Sequence, residues 1–224
     1  MQMESMGPAI LGFSFEAFLM MLSGVFYLFC AGLLWKSVRE EKNELVGALF
    51  AFLVYQAINM FFMGYHMHAH SMIYSNISAL AIFIGSVYML KFPLSSFSKG
   101  TRKAVFLLSL AVVLAIFIWF MQTPERQMDL MKFSLWYDIV VNGFVVGGFM
   151  IYLAIRTTEK WLKVKALGGG TGVISCCVVA TGSMLSGAIL TGIIVSFFSP
   201  IIILGSLIFA RQKIKDTLGS IPAI

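Results

Sequence analysis

The chain has 224 residues, of which 59% are apolar and 12% charged, and its net charge is +6. That balance excludes an ordinary water-soluble domain, where about 45–50% apolar and about 25% charged residues are usual. The basic excess does not point to nucleic acid, because the lysines and arginines fall in short clusters between long apolar stretches.

A hydrocarbon core about 30 Å thick is crossed by about 20 apolar residues in a helix. Stretches of that kind predict seven transmembrane helices, at about 9–35, 45–65, 72–91, 104–122, 131–155, 171–188 and 191–210. The expected fold class is all-α, a polytopic integral membrane protein with one seven-helix domain over residues 1–224.

Residues 1–8 carry Glu4 and no basic residue, so they lack the positive region of a cleavable signal peptide. Helix one therefore reads as an uncleaved anchor, with Glu16 near its start. On helix two, Gln56, Asn59, Met63, His66 and His70 recur at three- or four-residue spacing and share one face. Helix three adds Asn76, and helix five adds Asp138 and Asn142, four apart.

Helix six is rich in small residues. The steps Gly172-Cys176-Ala180 and Ser183-Gly187 form a smooth face that lets another backbone approach closely. The run Gly168-Gly169-Gly170-Thr171-Gly172 has no P-loop lysine and no preceding strand, so phosphate binding is not expected. Residues 166–210 contain no Lys, Arg, Asp or Glu. A single helix of that length would overshoot the bilayer about twofold, so a turn near Gly187–Gly192 is expected to divide it. Pro200 then falls inside helix seven as a kink.

Charge fixes the expected orientation. The loops after helices one, three and five and the segment after helix seven hold fourteen of the 16 basic residues, Lys42 and Arg211 among them. The other side keeps only Arg126 and Lys132. The positive-inside rule then sets the N-terminus outside and the C-terminus in the cytoplasm, in the cell membrane. The basic side would also favour anionic lipid headgroups. Trp35, Trp136 and Trp161 fall near predicted interfaces, where amphipathic rings anchor helices. Cys30, Cys176 and Cys177 lie within predicted spans, and no disulfide framework is expected.

With that orientation Glu16, Gln56, Asn59, Asn76, Asp138 and Asn142 fall in the outer half of the membrane or at its edge. An ionised carboxylate at the bilayer centre costs about 2.5–3.5 kcal/mol on insertion scales, so such residues face a bundle interior or a watery cavity. They predict a polar pocket reached from outside. The alternative is that they join helices by hydrogen bonds, worth about 0.6 kcal/mol each on average.

All three histidines sit in one segment, His66-Met67-His68-Ala69-His70, with Met63 one turn before it. On a helix His66 and His70 are spaced to clasp one metal from the same face, and on an extended segment His66, His68 and His70 would all project to one side, with Met63 and Met67 as thioether donors in either case. Copper, zinc or haem iron are the candidate cofactors. Solvated histidines on an outer loop and a pH sensor are the alternatives. No second helix carries histidine, which argues against bis-histidine haem. Enzyme signatures are absent: Gly182 to Gly187 has the wrong spacing for a nucleophile elbow, and helix seven has no lysine for retinal.

Ser199-Pro200 followed by Phe209-Ala210-Arg211-Gln212-Lys213-Ile214-Lys215-Asp216 resembles the last helix of the seven-helix N-terminal sensory regions of prokaryotic histidine kinases. Tyr88-Met89-Leu90-Lys91-Phe92-Pro93 is similar to the inner end of helix three in that family. The chain departs from the pattern in carrying Ser199 where a glycine is common, and no kinase domain occurs in its sequence. The resemblance implies a sensory or scaffold-like bundle and assigns no binding residues.

These features predict a non-enzymatic seven-helix module, either a receptor-like sensor or an accessory subunit of a larger membrane complex. Its expected partners are the lipid bilayer and other membrane subunits, with no nucleic acid. A metal- or haem-binding subunit using the His/Met segment is the alternative, and a small-solute transporter using Glu16, Asp138 and the Pro200 kink comes third.

Overall fold

A computed structural model of the chain describes residue 10, residues 12–41 and residues 43–219. The expectations resting on Glu4 and Lys42 lie outside the described residues. Among those residues there is no β-strand, and seven helices are long and apolar enough to cross a membrane. They are α1 (Phe15–Glu41), α2 (Glu44–Ala69), α3 (Met72–Leu94), α4 (Lys99–Met121), α5 (Pro124–Arg156), α6 (Lys160–Leu185) and α7 (Ile189–Gly219).

Local chemistry sets the ends. The Asn43 side chain accepts from Leu45 N and starts α2. His70 closes α2 in a left-handed conformation (φ 49°) while its N–H donates to the His66 carbonyl. Ser98 caps α4 by accepting from Thr101 N. Between α6 and α7 the chain turns through Gly187, with φ +87°, where only glycine escapes the Cβ clash. There Ala188 N donates to Ser183 O at 2.9 Å and Gly187 N to Met184 O at 3.2 Å, the paired bonds of a Schellman stop. The uncharged stretch is thus divided close to the expected turn, and Pro200 lies inside α7.

α1 begins at Phe15 rather than near residue 9 and α4 at Lys99 rather than near residue 104, and two further starts differ more. α5 begins at Pro124 rather than near residue 131, and α6 at Lys160 rather than near residue 171. Both first turns are polar, so hydropathy does not register them, yet both are strongly capped. Thr123 accepts from Arg126 N, with Pro124 in the first turn and Glu125 beside it. Glu159 accepts from both Trp161 N and Leu162 N. At 33 residues, α5 is about 50 Å long and exceeds the hydrocarbon core.

The packing forms a ring of six: α1 on α2, α2 on α3, α3 on α5, α5 on α6, α6 on α7, and α7 back on α1. α4 stands outside the ring against α3 and α5. Of its side chains, only Val113 and Phe120 are buried. The interior is filled by Tyr27, Phe52, Leu53 and Met89 on one side and by Ile82, Phe83 and Leu130 toward α4. The outside carries large apolar side chains such as Phe29, Leu108, Ile118, Phe144 and Ile155, a surface suited to lipid rather than water.

Candidate functional site

α5 and α6 both widen where they meet. In α5 the segment Ile139–Gly147 is π-helical, and in α6 so is Ser175–Ala180. Such turns are rare and concentrate at functional sites. The two segments touch, and Gly143 and Gly147 leave the space in which Val178 and Ile174 sit.

Beside this contact lies a cavity of about 10 Å³, room for roughly one water molecule or a bare ion. α1 lines it with Met20, and α2 with Gln56, Asn59, Met60 and Met63. α5 contributes Met131 and Leu135, and α6 contributes Cys176, Ala180, Thr181 and Met184.

A belt of polar contacts runs around the ring and passes along the cavity wall. Starting on α3, Ser86 Oγ accepts from Asn142 Nδ2 on α5 at 2.8 Å. Asn142 Nδ2 also donates to Asp138 Oδ1 at 2.6 Å. The other carboxylate oxygen accepts from Thr181 Oγ1 on α6 at 3.4 Å. Thr181 is linked in turn to the Cys176 carbonyl, and Cys176 Sγ lies 2.9 Å from Tyr27 Oη on α1. Tyr27 Oη reaches Ser196 Oγ on α7 at 3.4 Å, and Ser196 Oγ donates weakly to Met60 Sδ on α2 at 3.8 Å. Back on α2, Asn59 Nδ2 donates to Gln56 Oε1 at 3.1 Å, and Asn59 Oδ1 accepts from Ser78 Oγ on α3. The belt directly joins α2 with α3, α3 with α5, α5 with α6 and α7 with α1, while Tyr27 also bridges α1 to α6 and Ser196 bridges α7 to α2.

Asp138 is the only charged residue among the buried ones described, at 3% exposure. Among the described residues no cationic side chain pairs with it. Asn142 is fully buried, and its Oδ1 has no hydrogen-bond partner.

The chain matches no protein-family model, no curated protein and no solved structure.

The expected polar residues divide into three groups. Gln56 and Asn59 line the cavity, while Asp138 and Asn142 stand behind it and reach it through Thr181. Asn76 faces another neighbour, donating to Gln127 Oε1 at 3.4 Å, and its own Oδ1 is buried without a partner. Glu16 is half-buried in the first turn of α1 and does not line the cavity.

The His/Met segment is also divided. His66 Nδ1 lies 2.9 Å from the Ser71 carbonyl, the His68 ring packs on Phe13 with centroids 4.4 Å apart, and His70 is the cap of α2. Among the described residues no three His, Cys, Asp or Glu side chains gather as a metal cluster. Met67 packs against the interior, and Met63 is one of the cavity residues.

On α6 a side chain at Gly172 would strike Ile203 and the backbone of Ser199 on α7. Cys176 and Ala180 are buried, with Cys176 and Ala180 on the cavity wall; Ser183 accepts the Ala188 N–H, and Gly187 makes the turn. Met20, Met131, Met184, Thr181, Tyr27 and Ser196 join the site without a pattern that marks most of them in the sequence. One signal was available for Met131: it stands with Leu135, Asp138 and Asn142 at three- and four-residue spacing on α5.

Proposed function

We propose that the protein is a non-enzymatic seven-helix membrane module, a receptor-like sensor in the cytoplasmic membrane with its N-terminus outside and its C-terminus inside. The observation that carries this reading is the ion-sized cavity whose wall belongs to a hydrogen-bond belt joining six helices. A species entering it would act on contacts shared by α1, α2, α3, α5, α6 and α7 together, and the paired π segments lie beside it as elements able to change register. The distribution of basic residues supports the orientation. The likeness of the Ser199-Pro200 and Phe209 to Asp216 segments to histidine-kinase sensory regions supports the class.

A second reading, an accessory subunit of a larger membrane complex, is favoured by α4. Only 6% of its apolar window is buried, which leaves a long face for lipid or a neighbouring helix.

The sensor reading is tested by hydrogen–deuterium exchange on the protein in nanodiscs, challenged in turn with Na⁺, K⁺ and Cu(I). Exchange in Ile139–Gly147 and Ser175–Ala180 is expected to change with at least one of them. Constant exchange with all three overturns the reading.

A further inference from the structure

We infer that the cavity is a site for a soft monovalent metal ion, Cu(I), held by thioether sulfur from four helices. This rests on the proposal that the cavity is the module's input site, and it names the input. Five of the eleven lining residues are methionine: Met20 from α1, Met60 and Met63 from α2, Met131 from α5 and Met184 from α6. Methionine in a core normally flexes to fill irregular gaps. Here five of them surround a gap that stays open at the size of an ion.

The donor set selects the metal. Thioether and thiol sulfur prefer Cu(I), and Cys176 adds the thiol. Zinc takes Cys, His and carboxylate ligands, and the lining has one cysteine, no histidine and no carboxylate. Calcium and magnesium need about six or more oxygens, and the lining side chains offer only those of Gln56, Asn59 and Thr181. Charge favours a cation over an anion. Asp138 stands behind Thr181 as the one buried charged side chain among the described residues. The histidines of the α2 end are not part of this site, since His66 and His70 are engaged in closing the helix and none lines the cavity.

The test is anaerobic titration of the nanodisc-embedded protein with Cu(I), kept reduced by ascorbate and competed with a chromogenic Cu(I) chelator. X-ray absorption at the copper edge follows on the loaded protein. A single equivalent with a sulfur-only first shell is expected. Met60→Leu with Met131→Leu keeps the volume and removes two sulfurs; affinity is expected to fall by at least about 10–100-fold, the loss that even outer-shell changes cause. His66→Ala, His68→Ala and His70→Ala together are expected to leave binding unchanged. An imidazole shell, loss of binding in the histidine variant, or no competitive binding at all overturns the inference. The absorption result stands even where a methionine variant fails to fold. Failure of copper with a response of the π segments to Na⁺ or K⁺ sinks the copper site and leaves the sensor. Copper bound by sulfur with no exchange response to any ion does the reverse.

Discussion

Asn142 and Asp138 stand one turn apart on α5 and are joined by a 2.6 Å hydrogen bond, while the same amide nitrogen reaches Ser86 on α3 at 2.8 Å. One side chain thus satisfies a buried carboxylate oxygen and ties two helices. Replacing Asn142 by Ala removes the shortest donor to Asp138 Oδ1 in a closed interior, a loss of about 1–3 kcal/mol. Ser78→Ala removes a donor to Asn59 that lies between neutral groups, and about 0.6 kcal/mol is expected there. Reversible unfolding in mixed micelles measures both. An Asn142→Ala cost no larger than that of Ser78→Ala would show that Asp138 does not depend on this bond.

Tyr27 is fully buried, and its hydroxyl bridges Cys176 on α6 and Ser196 on α7. Tyr27→Phe keeps the ring and loses the bridge, for about 0.5–1.5 kcal/mol. Tyr27→Ala also empties the space and is expected to cost about 3–5 kcal/mol, the range for large aromatic deletions. The same unfolding experiment separates the two contributions. Equal losses in both variants would mean that the hydroxyl, rather than packing, dominates at this position.

The helices were legible because the bilayer's thickness imposes a length that composition reports directly. The early starts at Pro124 and Lys160 escaped because capping by Thr123 and Glu159 is polar and local, while hydropathy averages over a span. Asp138 and Asn142 could be read as a pair from their spacing. What they pair with could not, since Ser86 and Thr181 come from other helices, and no period on one helix reports the rotation of another. The methionines were hidden for a related reason. Met20 and Met184 look like ordinary apolar residues until four helices bring them to one cavity.

Glycine does two different jobs around α7. A Cβ at Gly192 would lie 2.7 Å from the Ala180 carbonyl, a backbone atom that cannot yield cheaply. Gly192→Val is therefore expected to push α6 and α7 apart and destabilise by about 1–3 kcal/mol. At Gly187 a Cβ meets nothing within 4 Å, but φ is +87°. Gly187→Ala is expected to cost about 1–2 kcal/mol through backbone strain alone. Unfolding gives the two costs, and cross-linking of cysteine pairs placed on α6 and α7 tells them apart. Cross-linking should fall for Gly192→Val and persist for Gly187→Ala. Unchanged cross-linking in Gly192→Val would mean that α6 and α7 tolerate the added bulk in place.

The end of the bundle that holds the α4–α5 turn carries few cations, and one of them is engaged: the Arg126 guanidinium carbon lies 4.3 Å from the centre of the Trp119 ring, and its Nη1 donates to Gln122. Arg126 thus links the last turn of α4 to the first of α5, at the level where aromatic rings anchor helices. If this end faces outward, a cysteine at Gln122 reacts with a membrane-impermeant maleimide on intact cells, and one at Thr157, between α5 and α6, reacts only after lysis. Moving charge should shift this balance. Replacing Lys160, Lys163 and Lys165 by Gln while adding lysines at Gln122 and Gln127 lowers the bias that orients α5 and α6, so a fraction of chains labelled at Thr157 from outside is expected. Labelling of Thr157 on intact cells in the otherwise unchanged chain would invert the orientation and, with it, the side from which an ion reaches the cavity.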